Sequence, residues 1–374
     1  MRVLRITPTH QIKEIMKPKD KISITIKAEN EGGYIKVSDQ VKDYVQPKMT
    51  QAKQPLTVIS TGSTLLDLAI SGGVIHGGGL PGGILVEIFG PASTGKTTLL
   101  CEIASRVQKL GGDVKFFDPE GRLNETYTAL FGLVLKKKNY KRPDTIPELF
   151  KPIREWEPEP SEGVIHGAFA DSLAALSTEI EMDDRDKMGM RRAKEFSEEC
   201  RKTCRILALK GFLMVCSNQI RQTGDMYGPK TKSPGGEAIG FYSSVRLKVS
   251  SSKKVEITKK IYDKSVTKPI GIQTTIEVFK NSVWEPYNSA PVYIVFNYGI
   301  DDIRANLIYL KQTFGLKEYV VLGETEEQNI ILGDGIEKAI RKVEDENLVE
   351  QLKQGVIKLW MEIHDKLTVV RTRQ

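Results

Sequence analysis

The chain of 374 residues carries 55 lysine and arginine residues against 48 aspartate and glutamate residues, which gives a net charge of +7 at pH 7. This length allows two or three domains with a buried core, and no apolar stretch approaches the ~20 residues that cross a bilayer. We therefore expect a cytoplasmic protein that does not enter the membrane, and the positive charge favours an acidic partner, most simply nucleic acid.

The first fifty residues differ in pattern from the remainder of the chain. Residues 21–27 alternate like an exposed strand, residues 31–33 have the composition of a turn, and residues 34–37 fit a second strand. The pattern predicts a small N-terminal module or arm over residues 1–51, with no visible phosphate or metal chemistry.

A phosphate-binding loop lies between a predicted strand and a predicted helix. Residues 84–89 are an apolar run typical of a buried strand, residues 90–97 read Gly-Pro-Ala-Ser-Thr-Gly-Lys-Thr, and apolar residues then follow at mostly helical spacing. Such a loop directs backbone N–H groups and the positive end of a helix dipole at one point, so it binds polyphosphate. In this motif Lys96 reaches the β and γ phosphates and Thr97 holds Mg²⁺. The residues expected to contact the nucleotide are Gly90, Pro91, Ala92, Ser93, Thr94, Gly95, Lys96, Thr97 and Thr98.

Carboxylates follow two further predicted strands, residues 114–118 and 164–170. Because ligands sit outside the carboxyl ends of strands in open α/β sheets, Glu120 is expected to face the nucleotide and to deprotonate the water that attacks the γ-phosphate. An exposed loop glutamate is the alternative. Asp171 is expected to hold magnesium through water. Between them, residues 136–142 include five basic residues, which we interpret as a solvated connection.

Cys200 and Cys204 fall one helical turn apart, so they are placed to share a metal ion. None of the four histidines is spaced to complete such a site, and we favour reduced thiols in a cytoplasmic protein.

A long basic loop begins where the predicted strand 212–217 ends. Gln219 supplies an amide that is able to contact the γ-phosphate. The following residues, 220–236, are rich in Gly, Pro, Lys and Thr and have no apolar periodicity. This pattern indicates a mobile basic loop through which ATP hydrolysis changes the affinity for a bound polyanion. A long surface loop without a partner is the alternative.

The remaining elements complete the predicted architecture. Strand-like runs at residues 244–249, 274–280 and 292–297 have little helix between them, which predicts an antiparallel extension of the parallel, helix-covered sheet. Residues 303–374 are predicted to form a separate small domain, with a capping box at residues 334–337 and an amphipathic helix over residues 347–366. The fold class is therefore α/β.

Several segments together resemble the RecA family of recombinases, and they occur in the family's order. The resemblance covers about residues 52–302. It implies a RecA-like P-loop NTPase core with a mostly parallel central sheet, followed by a small α+β C-terminal domain. The matching segments are residues 59–63, 65–69, 79–83, 90–97, 118–120, 171–176, 218–221, 235–236, 241–247 and 280–281.

The resemblance implies roles at the nucleotide. Glu120 would be the catalytic carboxylate, Asp171 would sit at the metal beside Ser172, and Gln219 would switch between ATP and DNA. Tyr127 stands where the family stacks an aromatic ring on adenine, and Asn124 stands where it has an aspartate that contacts the base. ATP and Mg²⁺ are the implied cofactors.

The resemblance also implies partners. Residues 181–188 and 220–234 resemble the family's two DNA-binding loops. Phe241 stands where the family buries a phenylalanine against the next subunit, and Lys280 stands where it has the first of two lysines that reach the neighbour's ATP. The residues implied to contact DNA, in or near these loops, are Arg185, Lys187, Met188, Arg191, Arg192, Arg221, Lys230, Lys232, Gly235 and Gly236.

The chain also departs from the family. Ala92 replaces an acidic residue that is common in bacterial members, both DNA loops are shorter, and residue 282 is a serine instead of the second interface lysine. Residues 74–78 look inserted, and the last four residues are basic instead of acidic. These differences suggest a divergent member encoded by a phage or mobile element, and they put the rate of ATP hydrolysis in question more than ATP binding.

We therefore predict a DNA-dependent ATPase that forms a homo-oligomeric filament on single-stranded DNA. In this interpretation it pairs the strand with a homologous double-stranded DNA and exchanges strands in recombination and repair. Two alternatives use the same core. One is a ring-forming helicase or motor, and the other is a regulator that binds ATP with little turnover. A small-molecule kinase is poorly supported, because no lid or acceptor site is evident.

Overall fold

The computed structural model describes residues 57–159, 162–178, 190–222, 231–232 and 238–369. The predicted N-terminal module, the first DNA loop and most of the second lie outside these ranges. The site predictions that fall outside them are Arg185, Lys187, Met188, Lys230, Gly235 and Gly236.

The described chain contains helices that alternate with strands through its first half. The strands are β1 (Val58–Ile59), β2 (Leu80–Pro81), β3 (Leu85–Gly90), β4 (Val114–Phe117), β5 (Tyr140–Lys141), β6 (Gly167–Ala170), β7 (Leu213–Gln219), β8 (Arg221–Gln222), β9 (Thr231–Lys232), β10 (Val245–Val249), β11 (Lys253–Ile261), β12 (Lys264–Asn281), β13 (Ser289–Val295), β14 (Gly299–Ile300), β15 (Tyr319–Val321) and β16 (Ile330–Gly333). The α-helices are α1 (Thr64–Ser71), α2 (Lys96–Lys109), α3 (Glu125–Ala129), α4 (Ile146–Arg154), α5 (Met190–Lys210), α6 (Ala238–Tyr242), α7 (Asp302–Phe314), α8 (Ile336–Asp345) and α9 (Val349–Leu367).

Ten strands form the central sheet in the order β14-β13-β12-β10-β3-β7-β6-β4-β5, with β11 paired to β12. The pairs from β10 to β5 are parallel, whereas β10 with β12, β12 with β13, β13 with β14 and β11 with β12 are antiparallel. This confirms the predicted α/β fold, with its mostly parallel sheet and antiparallel extension.

The central strands bury both of their faces. Along β7, Leu213 and Val215 pack in one hydrophobic cluster with α2, while Met214 and Cys216 pack in a second cluster with α4 and α5. Because successive side chains of a strand point to opposite faces, a continuous apolar run is what a strand covered by helices on both sides requires.

The C-terminal helices share the first of these clusters. Leu307, Val343 and Val356, from α7, α8 and α9, belong to the same buried cluster as Leu66 of α1 and Leu100 of α2. The division into domains at residue 302 stays a prediction. No helix in the described part of the chain combines the length and the apolarity that crossing a bilayer requires.

Several local predictions differ from the structure. The predicted capping box does not form, because α8 begins at Ile336 with Gly335 as its N-cap and without a side-chain bond there. Glu337 instead accepts a hydrogen bond from Arg304 Nη2 at 2.8 Å. The predicted strand at residues 164–170 begins only at Gly167. Just before it, the His166 ring accepts a hydrogen bond from the Asp113 N–H at 3.0 Å. The connection at residues 136–142 contains the short edge strand β5.

The segment after α1, which the sequence marks as inserted, folds back tightly onto that helix. The Gly78 N–H donates to the Ile75 carbonyl at 2.9 Å and the Gly79 N–H donates to the Asp67 carbonyl at 3.1 Å. Gly78 has φ of +69°, and a Cβ atom there would lie 2.0 Å from the Asp67 carbonyl oxygen. Neighbouring Gly77 has φ of +78°, but a Cβ atom there would meet only Ile357 Cδ1, at 3.8 Å.

We expect Gly78→Ala to destabilise the fold far more than Gly77→Ala. Both changes place a Cβ at positive φ, which costs about 1 kcal/mol, but only Gly78→Ala also overlaps the α1 backbone, which costs a further ~2–3 kcal/mol. Equilibrium denaturation in urea measures both free energies of unfolding. Equal losses in the two variants would contradict the packing described here.

Candidate nucleotide-binding site

The predicted phosphate loop connects β3 to α2 through a glycine that no other residue can replace without strain. Gly95 is the N-cap of α2 at φ of +89°, and a Cβ atom there would lie 2.2 Å from Ile294 Cδ1. No side chain caps this helix end. Because the first N–H groups of a helix lack partners within it, they are available to an anion at this position.

Lys96 lies folded over its own loop. Its Nζ donates to the Pro91 carbonyl at 2.5 Å and to the Gly90 carbonyl at 3.2 Å. Burial lowers the pKa of Lys96, while the nearby carboxylates of Asp171 and Glu120 act in the opposite direction. Phosphate oxygens are stronger acceptors than these carbonyls, so the ammonium group is positioned to exchange them for a bound polyphosphate.

Thr97 and Asp171 come together as the sequence predicts. Thr97 Oγ1 donates to Asp171 Oδ2 at 2.6 Å, and the Ser217 hydroxyl donates to Asp171 Oδ1. Burial raises the pKa of Asp171, and the two hydroxyl donors oppose that rise. A hydroxyl and a carboxylate beside the phosphate loop are the hard oxygen ligands that Mg²⁺ prefers, so these residues fit a magnesium ion.

Glu120 receives hydrogen bonds from residues at the carboxyl ends of two other strands, β6 and β7. Its Oε1 accepts from Ser172 Oγ at 2.6 Å and from Gln219 Nε2 at 3.2 Å, and its Oε2 lies 2.9 Å from Arg122 Nη1. The exposed-loop alternative for Glu120 is therefore wrong, because its side chain is mostly buried among these partners. Sequence reasoning missed Arg122, whose only signal is its position two residues after the carboxylate.

The predicted adenine residues lie at the start of α3. Tyr127 OH lies 3.0 Å from Thr98 Oγ1, and the Tyr127 ring meets Phe131 edge to face at 5.2 Å. Asn124 Oδ1 accepts from the Tyr127 N–H at 2.8 Å, so this side chain caps α3. Contact of Tyr127 and Asn124 with the base stays a prediction.

Most of the predicted nucleotide-site residues line one cavity of about 370 Å³, whereas Gly90, Pro91 and Asn124 are not part of its lining. Its wall is completed by apolar side chains of the antiparallel extension, which sequence reasoning missed because no local pattern reports on them. The lining consists of residues 92–98, Glu120, Arg122, Tyr127, Asp171, Ser172, Ser217, Gln219, Ile272, Ile294 and Phe296. A larger cavity of about 510 Å³ lies beside Gln108, Lys115 and Trp156 and includes none of the predicted site residues.

Two predicted functional residues lie together outside the cavity lining. Lys280 Nζ donates to the carbonyls of Gly240 and Phe241, at 3.0 and 2.8 Å, and the Phe241 side chain is 75% exposed. Burial lowers the pKa of Lys280, and neighbouring Arg246 adds to this effect. Their roles toward a neighbouring subunit stay predictions.

The described residues predicted to bind DNA fall on two elements. Arg192 Nη2 donates to the Leu173 and Ala174 carbonyls, at 3.2 and 2.8 Å, so this residue ties α5 to the segment after β6. Arg221 and Lys232 are register partners in the two-stranded ribbon β8–β9. Arg191 lies exposed near the start of α5. DNA contact by these residues stays a prediction.

The cysteines are free, and Cys200 is buried. Cys204 Sγ lies 3.8 Å from the Tyr242 carbonyl oxygen. Within the described ranges, no group of three or more His, Cys, Asp or Glu side chains is placed to hold a metal ion.

A buried ion pair supports the site from the centre of the sheet. Glu87 of β3 is fully buried; it accepts from Arg246 Nε of β10 at 2.7 Å and from Asn218 Nδ2 of β7 at 3.0 Å. The Arg246 guanidinium also lies 4.5 Å from the centroid of the Phe89 ring. Sequence reasoning missed this cluster, although a glutamate inside an apolar strand is a signal that a buried partner exists.

Comparisons with known proteins agree with this geometry. Residues 40–301 match the family model described as the RecA N-terminal domain. The chain is 32% identical over 314 residues to Protein RecA of Thermus thermophilus, covering 82% of this chain and 86% of that protein. It is 36% identical over 264 residues to Protein RecA of Anaplasma marginale (strain Florida), covering 70% and 68%. A crystal structure of the RadB recombinase matches with a TM-score of 0.44 and 17% identity, over 65% of this chain and 98% of that one.

We expect Arg246→Met to lower the free energy of unfolding by about 3–5 kcal/mol, because it leaves the Glu87 carboxylate buried without its cation. Lys248→Met is the matched control two residues along β10. The Lys248 ion pair with Glu277 is longer, at 3.7 Å, and partly exposed, so its loss should cost less than about 1 kcal/mol.

The double variant Glu87→Leu with Arg246→Met should recover most of the loss, since no unpaired charge then remains buried. Denaturant melts of the four proteins measure these differences. Similar losses from Arg246→Met and Lys248→Met would contradict the supporting role of the buried pair.

Proposed function

This chain belongs to the RecA family, and we propose that it is a DNA-dependent ATPase that assembles on single-stranded DNA and exchanges strands with a homologous duplex. A recombinase-type role and ATP binding follow from the family. The activity itself is supported by the way in which four strand ends deliver Lys96, Glu120, Asp171 and Gln219 to one cavity.

The observation that carries the proposal is the hydrogen bond between Gln219 Nε2 and Glu120 Oε1. Glu120 is the carboxylate that accepts a proton from the attacking water, and Gln219 immediately precedes the segment that contains Arg221 and Lys232. An amide that bonds either to Glu120 or to a γ-phosphate oxygen therefore reports the presence of ATP to a basic ribbon.

In this mechanism the residues of the chain have distinct tasks. Lys96 and the uncapped start of α2 bind the phosphates. Ser172 orients the Glu120 carboxylate, and Tyr127 bounds the cavity where the base would lie. Mg²⁺, which Thr97 and Asp171 fit, would neutralise charge on the transferred phosphate. DNA contacts through the basic loops are largely independent of sequence and sensitive to salt.

Assembly into a filament is part of the same proposal. The Phe241 side chain is exposed, and the Phe241 carbonyl accepts a hydrogen bond from the Lys280 ammonium. Aromatic side chains are enriched at protein interfaces, so this pair is suited to contact a neighbouring copy of the chain.

A regulator that binds ATP with little turnover is the second candidate. The observation in its favour is that residue 282 is a serine, which leaves Lys280 as the single lysine of the interface motif. The Lys280 ammonium also donates hydrogen bonds to two carbonyl groups of its own chain, those of Gly240 and Phe241.

ATP hydrolysis with and without single-stranded DNA tests the proposal. We expect DNA to stimulate the rate and Glu120→Gln to lower it by about 10²-fold or more, because an amide cannot accept the proton. Binding of single-stranded DNA in the presence of ATP should survive this change. Glu125→Gln, which alters an exposed glutamate at the start of α3, is the matched control and should hydrolyse ATP normally.

The outcomes separate the two candidates. A rate that single-stranded DNA does not change favours the regulator. A Glu120→Gln variant with full activity would overturn the role assigned to this carboxylate.

A further inference from the structure

A two-stranded ribbon projects from the antiparallel side of the sheet. Strand β13 pairs with residues 271–277 of β12 and β10 pairs with residues 276–281, so the outer part of β12 pairs with β11 alone. None of the residues 253–270 is buried, and Tyr262 at the tip is 96% exposed. A two-stranded hairpin with both faces in water is only marginally stable, so a ribbon of this length indicates a binding surface.

The ribbon concentrates positive charge. Residues 253–268 hold six lysines against two carboxylates, a net charge of +4, whereas the whole chain carries +7. One of the two carboxylates, Asp263, is paired with Lys260 at 3.0 Å. More than half of the chain's excess positive charge therefore lies on sixteen residues, none of which is buried, and this points to a polyanionic partner.

One face of the ribbon presents a regular row of lysines. The cross-strand partners Ile257 with Lys268, Lys259 with Val266, and Ile261 with Lys264 share a face, because partners lie side by side and alternate residues of a strand point the same way. Each of these three levels carries one lysine. Successive levels are two residues apart, about 7 Å, which is close to the spacing of successive phosphates along a nucleic-acid strand.

The other face is different in character. Thr258 Oγ1 and Thr267 Oγ1 lie 2.8 Å apart, and Lys260 is the partner of Ser265. The two threonines link the strands of the ribbon by a cross-strand hydrogen bond. Over these levels the second face carries one lysine, Lys260, and one carboxylate, Glu256. The lysine row, formed by Lys259, Lys264 and Lys268, has three lysines and no carboxylate, so it is the face that favours phosphates.

The side chains between the lysines favour a duplex over a single strand. Proteins that hold single-stranded DNA stack its bases on aromatic rings. The row instead interleaves its lysines with aliphatic Ile257, Ile261 and Val266, and Tyr262 at the turn is the one aromatic residue between 253 and 270. A two-stranded ribbon has the width that the major groove of a duplex admits.

We propose that the β11–β12 ribbon is a separate binding element for double-stranded DNA, held mainly by phosphate contacts from Lys259, Lys264 and Lys268. This proposal rests on the proposed function in one respect: a protein that exchanges DNA strands must bind a duplex as its second DNA partner. The contact itself requires neither ATP nor the loops that follow Asp171 and Gln219.

The test measures binding of a duplex oligonucleotide to the full chain without nucleotide, by fluorescence anisotropy over a range of salt. The variant replaces Lys259, Lys264 and Lys268 by glutamine. The control replaces Lys136, Lys137 and Lys138, which are also exposed, and so removes the same charge elsewhere. A third variant replaces the ribbon lysines by arginine and keeps the charge.

We expect the ribbon glutamine variant to bind duplex about 10–100-fold more weakly at 0.15 M salt, and the slope of log K against log salt to fall by about 2–3, as three lost phosphate contacts require. The arginine variant should bind like the unaltered protein. Thermal melting checks that the variants are folded, which is expected because the changed side chains are exposed.

Three results would overturn the proposal. They are unchanged duplex affinity in a folded ribbon glutamine variant, an equal loss in the Lys136–Lys138 control, and an equal loss of single-stranded and duplex binding. These outcomes are independent of ATP hydrolysis. A protein whose ATPase ignores single-stranded DNA but whose ribbon variant loses duplex binding would refute the proposed function and leave the ribbon assignment standing.

Discussion

The buried Glu87 carboxylate is the constraint on which the rest of the structure depends. Glu87 lies on β3 directly opposite Arg246 of β10, and it also binds Asn218 of neighbouring β7. A carboxylate without its cation is costly in the interior, so β10 cannot slip by one residue without leaving that charge unpaired. A slip of β7 would remove the hydrogen bond that Asn218 donates to the same carboxylate. The phosphate loop begins three residues after Glu87, and Gln219 follows Asn218. The ion pair thereby fixes the strand ends from which the nucleotide site is built.

The site places one buried lysine among carboxylates and hydroxyl groups. Lys96 bonds to loop carbonyls, Asp171 is held by two hydroxyl groups, and Glu120 is held by Ser172 and Gln219. Each side chain thus has partners within the protein that a nucleotide can replace. These hydrogen bonds within the protein keep the polar side chains of the cavity ordered, and a bound nucleotide can replace them.

Positive charge is distributed unevenly around this core. The ribbon β8–β9 brings Arg221 and Lys232 into register shortly after Gln219, which lines the cavity. The β11–β12 ribbon, which carries the lysine row, grows from the strand that also supplies Ile272 to the cavity wall. Two ribbons with basic residues are therefore connected to strands that line the cavity: β8–β9 follows β7 along the chain, and β11–β12 includes the outer part of β12.

The sequence by itself determined the phosphate loop, the parallel direction of the early strands and the carboxylates that follow two of them, because each of these leaves a pattern within a few neighbouring residues. Periodicity alone separated β3, β4 and β7 from the helices between them. It did not reveal that Glu87 meets Arg246, since 159 residues separate them, or that β12 extends outward to Lys264. The apolar wall from Ile294 and the start of α8 at Ile336, with Gly335 as its N-cap, were likewise decided by tertiary structure. Contacts between distant segments, strand lengths and helix caps depend on which surfaces pack together, and a local sequence pattern does not show this.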